Sequence, residues 1–241
     1  MSRLILIRHA QASFSPDPVD AFVDYDRLSP LGQQQAEALG EELAAAGFTF
    51  DRVYSGPAAR QRQTAELVGA VFARQGRPWP ELLVEDGLEE HDGATVVRRA
   101  LAEPDYEEDR FNLAVALDTG EGARAYFTVF RRVTRRWARG EMPAALVEES
   151  WPAFRARVAS GVKRIVDESG RGSTVAAFTS GGPIGSTVAQ VLGLEDEAAL
   201  ELAWTVENAT LTELLFSDGR ISLKSFNAQP RIGSPELVTY V

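Results

Sequence analysis

The chain is 241 residues long, 44% hydrophobic and 25% charged, a globular balance that excludes wholesale disorder, collagen-like repeats and coiled-coil rods. It has no cysteine and two histidines, His9 and His91. Disulfides, thiolate metal sites and a cysteine nucleophile are thereby excluded, and a histidine-rich metal centre is disfavoured. Its 35 acidic and 25 basic residues leave a net charge of −10, which repels nucleic-acid backbones and anionic membranes but still permits a local basic pocket for a small anion.

Leu4 to Ile7 is a continuous apolar run without alternation. It reads as a strand buried on both faces, as in a parallel sheet. The run is too short for the apolar core of a signal peptide, and no stretch approaches the roughly 18 apolar residues of a membrane span. The expectation is a cytoplasmic protein with no membrane and no nucleic-acid partner. A polar loop covers Ser13 to Ser29. Ser29-Pro30 then predicts a helix N-cap with proline in the first turn, and Gly47 a stop. Arg52 to Ser55 reads as a short strand, Ala58 to Ala73 as a helix, and Leu82 to Val84 as a further strand.

From about Gly93 to Met142 the rhythm breaks, with mixed charge, helical patches and no clear strand. This stretch is expected to be a helical insert or lid at about 93–148 within a single α/β domain spanning 1–241. The regular pattern resumes with a helix over Trp151 to Val166 and a buried strand over Thr174 to Phe178. Gly181-Gly182-Pro183 then turns the chain into a helix ending near Leu192. Thr210 to Phe216 and Ile221 to Phe226 flank Ser217-Asp218-Gly219-Arg220, a hairpin signal. Strands alternating with helices predict a three-layer α/β/α sandwich with a mostly parallel sheet.

Three of the expected strand ends carry polar groups: Arg8-His9-Ala10-Gln11, then Arg60, Arg62 and Gln63-Thr64-Ala65 after the second strand, and Thr179-Ser180-Gly181-Gly182. Open α/β sheets bind ligands beyond the carboxyl ends of their strands. His9 sits beside a cation that disfavours imidazolium, and a neutral imidazole is a nucleophile. Arg8 and Arg60 offer planar forks that match phosphate oxygens. The Gly181-Gly182 turn offers backbone N–H donors at a helix start. Together these suggest a phosphoryl group held by arginines and attacked by His9. Leu88-Glu89-Glu90-His91 supplies a candidate general acid. Arginines can provide the charge stabilisation otherwise given by a metal, so neither metal nor other cofactor is expected.

These segments resemble the histidine phosphatase superfamily, the phosphoglycerate-mutase-like proteins. Leu6-Ile7-Arg8-His9-Ala10-Gln11 is similar to the signature at the end of the first strand, with Ala10 where glycine is usual. Leu28-Ser29-Pro30-Leu31-Gly32 is similar to the family's next helix start. Val53-Tyr54-Ser55-Gly56-Pro57 with Arg60 and Gln63-Thr64-Ala65, Leu88 with Glu90, and Phe178-Thr179-Ser180-Gly181-Gly182 complete an ordered set over residues 4 to about 190. The resemblance implies a phosphatase that hydrolyses a small phosphate monoester through a phosphohistidine on His9. It implies that Arg8 and Arg60 bind phosphate and that Glu90 protonates the leaving group. Two positions depart from the family pattern. Ser180 stands where a second pocket histidine is usual, and Ser15 where asparagine is common. Ser15, Ser180, Gly181 and His91 are the further expected phosphate contacts, with His91 supplying part of what Ser180 cannot. The alternatives are a weak or inactive relative that binds phosphorylated ligands, and a mutase of the phosphoglycerate type. Arg131, Arg132, Arg135, Arg136 and Arg139 in the insert read as a solvated helix face or as groups overhanging the pocket. Neither substrate nor oligomeric state is written in the sequence.

Overall fold

The computed structural model describes residues 1–13, 25–118, 120–217 and 219–229. Ser15 and the turn residue Asp218 lie outside them. The elements in chain order are β1 (Ser2–Arg8), α1 (Pro30–Ala45), β2 (Arg52–Ser55), α2 (Ala59–Arg74), β3 (Leu82–Val84), α3 (Gly93–Ala102), α4 (Glu107–Asp118), α5 (Gly122–Ala138), α6 (Trp151–Glu168), β4 (Thr174–Thr179), α7 (Gly181–Leu192), α8 (Asp196–Thr205), β5 (Leu211–Ser217) and β6 (Arg220–Ala228). Among the described residues the chain divides into two compact units, one of 1–13, 25–90 and the residues from 156 onward, the other of 91–155.

The first unit is built on a six-stranded sheet in the order β3-β2-β4-β1-β5-β6. β1 pairs in parallel with β4, and β2 in parallel with β4 and β3, while β5 runs antiparallel to β1 and β6. The unalternating Leu4–Ile7 run is explained by burial on both faces. Ile5 and Ile7 join Leu39 and Leu43 of α1, Val53 of β2, and Val68 and Phe72 of α2 in one core cluster. Leu4 and Leu6, which are also fully buried, point to the opposite face by strand alternation. On that opposite face Tyr54 donates its hydroxyl to Glu168 of α6 at 2.9 Å. Helices thus cover both faces of a mixed α/β sheet.

The Ser29-Pro30 signal is realised in full. Ser29 Oγ accepts from Gly32 N at 2.9 Å with proline in the first turn. Gly32 is required by packing as well. A methyl group there would run into the Gln11 carbonyl, two residues beyond His9. Gly32→Ala is therefore expected to cost about 1–3 kcal/mol, as an overpacked site does, read as a lower midpoint in urea unfolding. Gly47 sits just past α1 at φ +77°, where glycine carries no Cβ penalty.

α8 has no counterpart among the expected elements. Its buried side is Ala199, Leu200 and Ala203, mostly too small to mark an apolar stripe. Its contact with α7 is backbone against backbone. A Cβ on Gly181 would lie 2.6 Å from Ala203 O, and one on Gly185 would strike Ala199 O.

In the second unit α3, α4 and α5 pack on one another. Tyr106 is clasped by two of the arginines. Arg136 donates to its hydroxyl at 2.7 Å and lies 5.6 Å from the ring centroid, and Arg132, 6.0 Å from it, pairs with Asp109. Arg136 and Arg139 each also lie 4.0 Å from Glu141. These arginines are partly spent on the unit's own fold. Among the described residues no helix is long and apolar enough to cross a membrane.

Candidate active site

The carboxyl ends of β1, β2 and β4 lie side by side. Arg8 is opposite Thr179, and Ser55 opposite Phe178. His9 continues the ladder, its N–H donating to Thr179 O at 2.8 Å, and its carbonyl accepts from Asn208 Nδ2 at 2.9 Å. The next amide, Ala10 N, donates to Thr64 Oγ1 at 3.1 Å, and Thr64 in turn donates to Arg60 O at 2.7 Å. The nucleophile candidate thus sits on a backbone held from β4, from α2 and from the segment between α8 and β5, all remote in sequence.

Two contacts determine the His9 tautomer. Nδ1 lies 2.7 Å from Ala10 O, a carbonyl that only accepts, so Nδ1 carries the hydrogen. Nε2 receives the Nε–H of Arg60 at 3.3 Å, and a guanidinium only donates, so Nε2 holds the lone pair. The ring is 1% exposed. Burial, then the charges of Arg60 and Arg8, hold its pKa well below the ordinary histidine value. His9 is therefore neutral, with its lone pair aimed at the arginine.

Arg60 is also buried. Its NH1 donates to Asp26 at 2.9 Å, and its guanidinium lies 4.6 Å from the centroid of the Tyr25 ring. Arg8 is anchored by a hydrogen bond from NH1 to Val206 O. Arg62, two residues on, is exposed.

At the β4 end Ser180 is fully buried and occupies the N-cap of α7, yet its side chain does not cap the helix. Its oxygen accepts from Gln61 Nε2 at 2.8 Å. Glu90 reaches the same helix start, where its Oε2 accepts from Gly182 N at 3.0 Å. Leu88 O, which receives Thr179 Oγ1 at 2.7 Å and Gln61 Nε2 at 3.1 Å, ties the Glu90 segment to β4 and α2.

The expected residues Arg8, His9, Arg60, Glu90, Ser180 and Gly181 therefore belong to the first unit, at or next to these strand ends. His91 belongs to the second. Its ring centroid lies 5.2 Å from that of Trp137 and 5.5 Å from that of Phe154, and its Nδ1 accepts from Gly93 N at 3.1 Å. Sequence reasoning missed Gln61, Asn208, Tyr25 and Asp26. Gln61 alone left a signal, being next to Arg60.

A profile of the histidine phosphatase superfamily, branch 1, matches residues 4–125 and 118–229. Among curated proteins, the 2-carboxy-D-arabinitol-1-phosphatase of Triticum aestivum is 34% identical over 67 residues, 27% of this chain and 13% of that protein. The mitochondrial serine/threonine-protein phosphatase PGAM5 of Xenopus laevis is 30% identical over 83 residues, 34% of this chain and 28% of that one. These matches thus span under a third of either relative. A solved structure of a phosphoserine phosphatase mutant from Entamoeba histolytica, in complex with phosphoserine, superposes with a TM-score of 0.61 at 18% identity. That superposition covers 95% of this chain and 98% of that one and shows a shared fold. With the profile matched along most of its length, the chain belongs to the histidine phosphatase superfamily, branch 1.

Proposed function

We propose that the protein hydrolyses small phosphate monoesters through a phosphohistidine on His9, without a metal ion. The observation that carries this reading is the buried, neutral His9 with its Nε2 lone pair against the Arg60 guanidinium. A phosphoryl group entering beside Arg60 takes over its donors. Nε2 then attacks phosphorus, the bond from phosphorus to the ester oxygen breaks, and the departing oxygen takes a proton from the Glu90 carboxyl. The Nδ1–H to Ala10 O bond stabilises the positive ring of the phosphohistidine. In the second half Glu90 takes a proton from water as the water oxygen attacks phosphorus. The P–N bond breaks, inorganic phosphate leaves and His9 is again neutral. Arg8, Arg60, the hydroxyl of Ser180 and the backbone at Gly181 stabilise the charge on the phosphoryl oxygens.

Incubation with an aryl phosphate and a denaturing quench tests the covalent step. The expected result is acid-labile phosphate on His9, and its absence during turnover would overturn the mechanism. Phosphate binding with no turnover of any monoester would instead indicate a binding relative. Because arginines supply the positive charge, kcat is expected to be unchanged after treatment with EDTA. Loss of activity on chelation, restored by a divalent ion, would overturn the metal-independent reading.

A further inference from the structure

We infer that Gln61 is a positioning residue that forces Ser180 to act as a hydrogen-bond donor, so that the pair does the work of one neutral, non-titrating donor on the phosphoryl group. The inference rests on the proposed phosphohistidine reading and deepens it at the position where the family's second histidine is replaced.

The argument is one of polarity. Gln61 Oε1 accepts from Ala58 N at 3.2 Å, which fixes which end of its amide is the NH2. That NH2 has two hydrogens. One goes to Leu88 O at 3.1 Å, a carbonyl that only accepts, and the other to Ser180 Oγ at 2.8 Å. All three groups of the amide are therefore committed, and Ser180 is the acceptor in its bond to Gln61. Gln61 and Ser180 are both 0% exposed. The serine keeps one hydrogen to give, and among the described residues no group accepts it. A serine at an N-cap usually turns its oxygen onto the helix amides, but this one does not. A buried donor left without an acceptor is costly, and here it belongs to the residue that follows Thr179, whose carbonyl holds His9 N, and leads into the Gly181-Gly182 turn, whose Gly182 N–H holds Glu90. An anionic oxygen arriving between His9 and Glu90 is the acceptor that satisfies it. A histidine at this position would change its charge within the working pH range, whereas a hydroxyl held by a carboxamide does not.

The test is a double-mutant cycle with Gln61→Met and Ser180→Ala. It is measured as kcat/KM on an aryl phosphate and, in parallel, as the dissociation constant for inorganic phosphate by calorimetry. Ser180→Ala is expected to lower kcat/KM by about tenfold or more. Gln61→Met is expected to lower it by a similar factor when Ser180 is present, but by less than about twofold when residue 180 is alanine. Phosphate affinity is expected to show the same coupling. If Gln61 served only to hold Leu88 and Ala58, its removal would cost the same in both backgrounds, and that result overturns the inference. Should the Met variant fail to fold, Gln61→Glu, which has the same shape, goes through the same cycle, with only the coupling read. The phosphate arm needs no turnover, so a wild type that binds phosphate with this coupling but shows no phospho-His9 refutes the hydrolytic reading and leaves the Gln61 assignment standing.

Discussion

Replacing His9 with alanine is expected to lower kcat by about 10⁴-fold or more, the scale seen when a covalent nucleophile is removed, while leaving the fold intact. The fold survives because the ties at this position are made by main-chain atoms. His9 N bonds to Thr179 O, and His9 O accepts from Asn208, and alanine keeps both. Comparable turnover in the two proteins would sink the covalent mechanism. The low pKa of His9 adds a signed expectation. Burial first, then Arg60 and Arg8, hold the ring neutral in the folded chain, so the acid limb of kcat/KM belonging to His9 lies well below pH 6.5. Stability follows the same linkage. As pH falls below about 6.5 the unfolded chain binds a proton that the folded ring refuses. Stability then drops by about 1.4 kcal/mol per pH unit until the folded pKa is reached. Urea unfolding of His9→Ala is expected to lack this slope.

Arg60→Ala is expected to cost about 10²–10³-fold in kcat/KM, the loss typical of one preorganised charge-stabilising donor. The guanidinium touches the His9 ring itself and is held in place by Asp26 and the face of Tyr25. Arg60→Lys keeps the charge but has no planar fork to meet two phosphoryl oxygens while lying on an aromatic ring. It is expected to recover only part of the loss. The two variants also separate positioning from electrostatics. Arg60 is one of the charges that depress the His9 pKa, so its removal is expected to move the acid limb to higher pH. The lysine variant should leave that limb closer to the wild type. An Arg60→Ala enzyme with unchanged kcat/KM and an unmoved limb would remove Arg60 from the site.

The elements and candidate-site residues that could be read in advance were those whose signal is local. A fully apolar run such as Leu4–Ile7 is what a strand buried on both faces must be, and a strand end that places Arg8 and His9 next to it is legible without any partner. Ser29-Pro30 and Gly32 encode a helix start through the backbone of their own neighbours. The hairpin strands β5 and β6 were visible for the same reason, because alternation and turn residues lie within a few positions of each other. α8 was not, because Ala199 and Ala203 pack by letting the α7 glycines approach, and small residues leave almost no periodic signal.

What only the tertiary structure decided is the state of each group in the site. The residue order sets Ala10 O beside the His9 ring, but nothing in it says that Nε2 receives Arg60 Nε, because that contact, 51 positions apart, forms only when α2 packs beside the end of β1. Nothing in it joins Gln61 to Ser180, which are 119 positions apart, or brings Asn208, 199 positions from His9, onto the His9 carbonyl. Residue types determine which groups can donate or accept. Which of them do so depends on the distances and directions set when β4 pairs with both β1 and β2, and those pairings are long-range. The chemistry of Ser180 therefore follows from the amide packed against it and not from the residue alone.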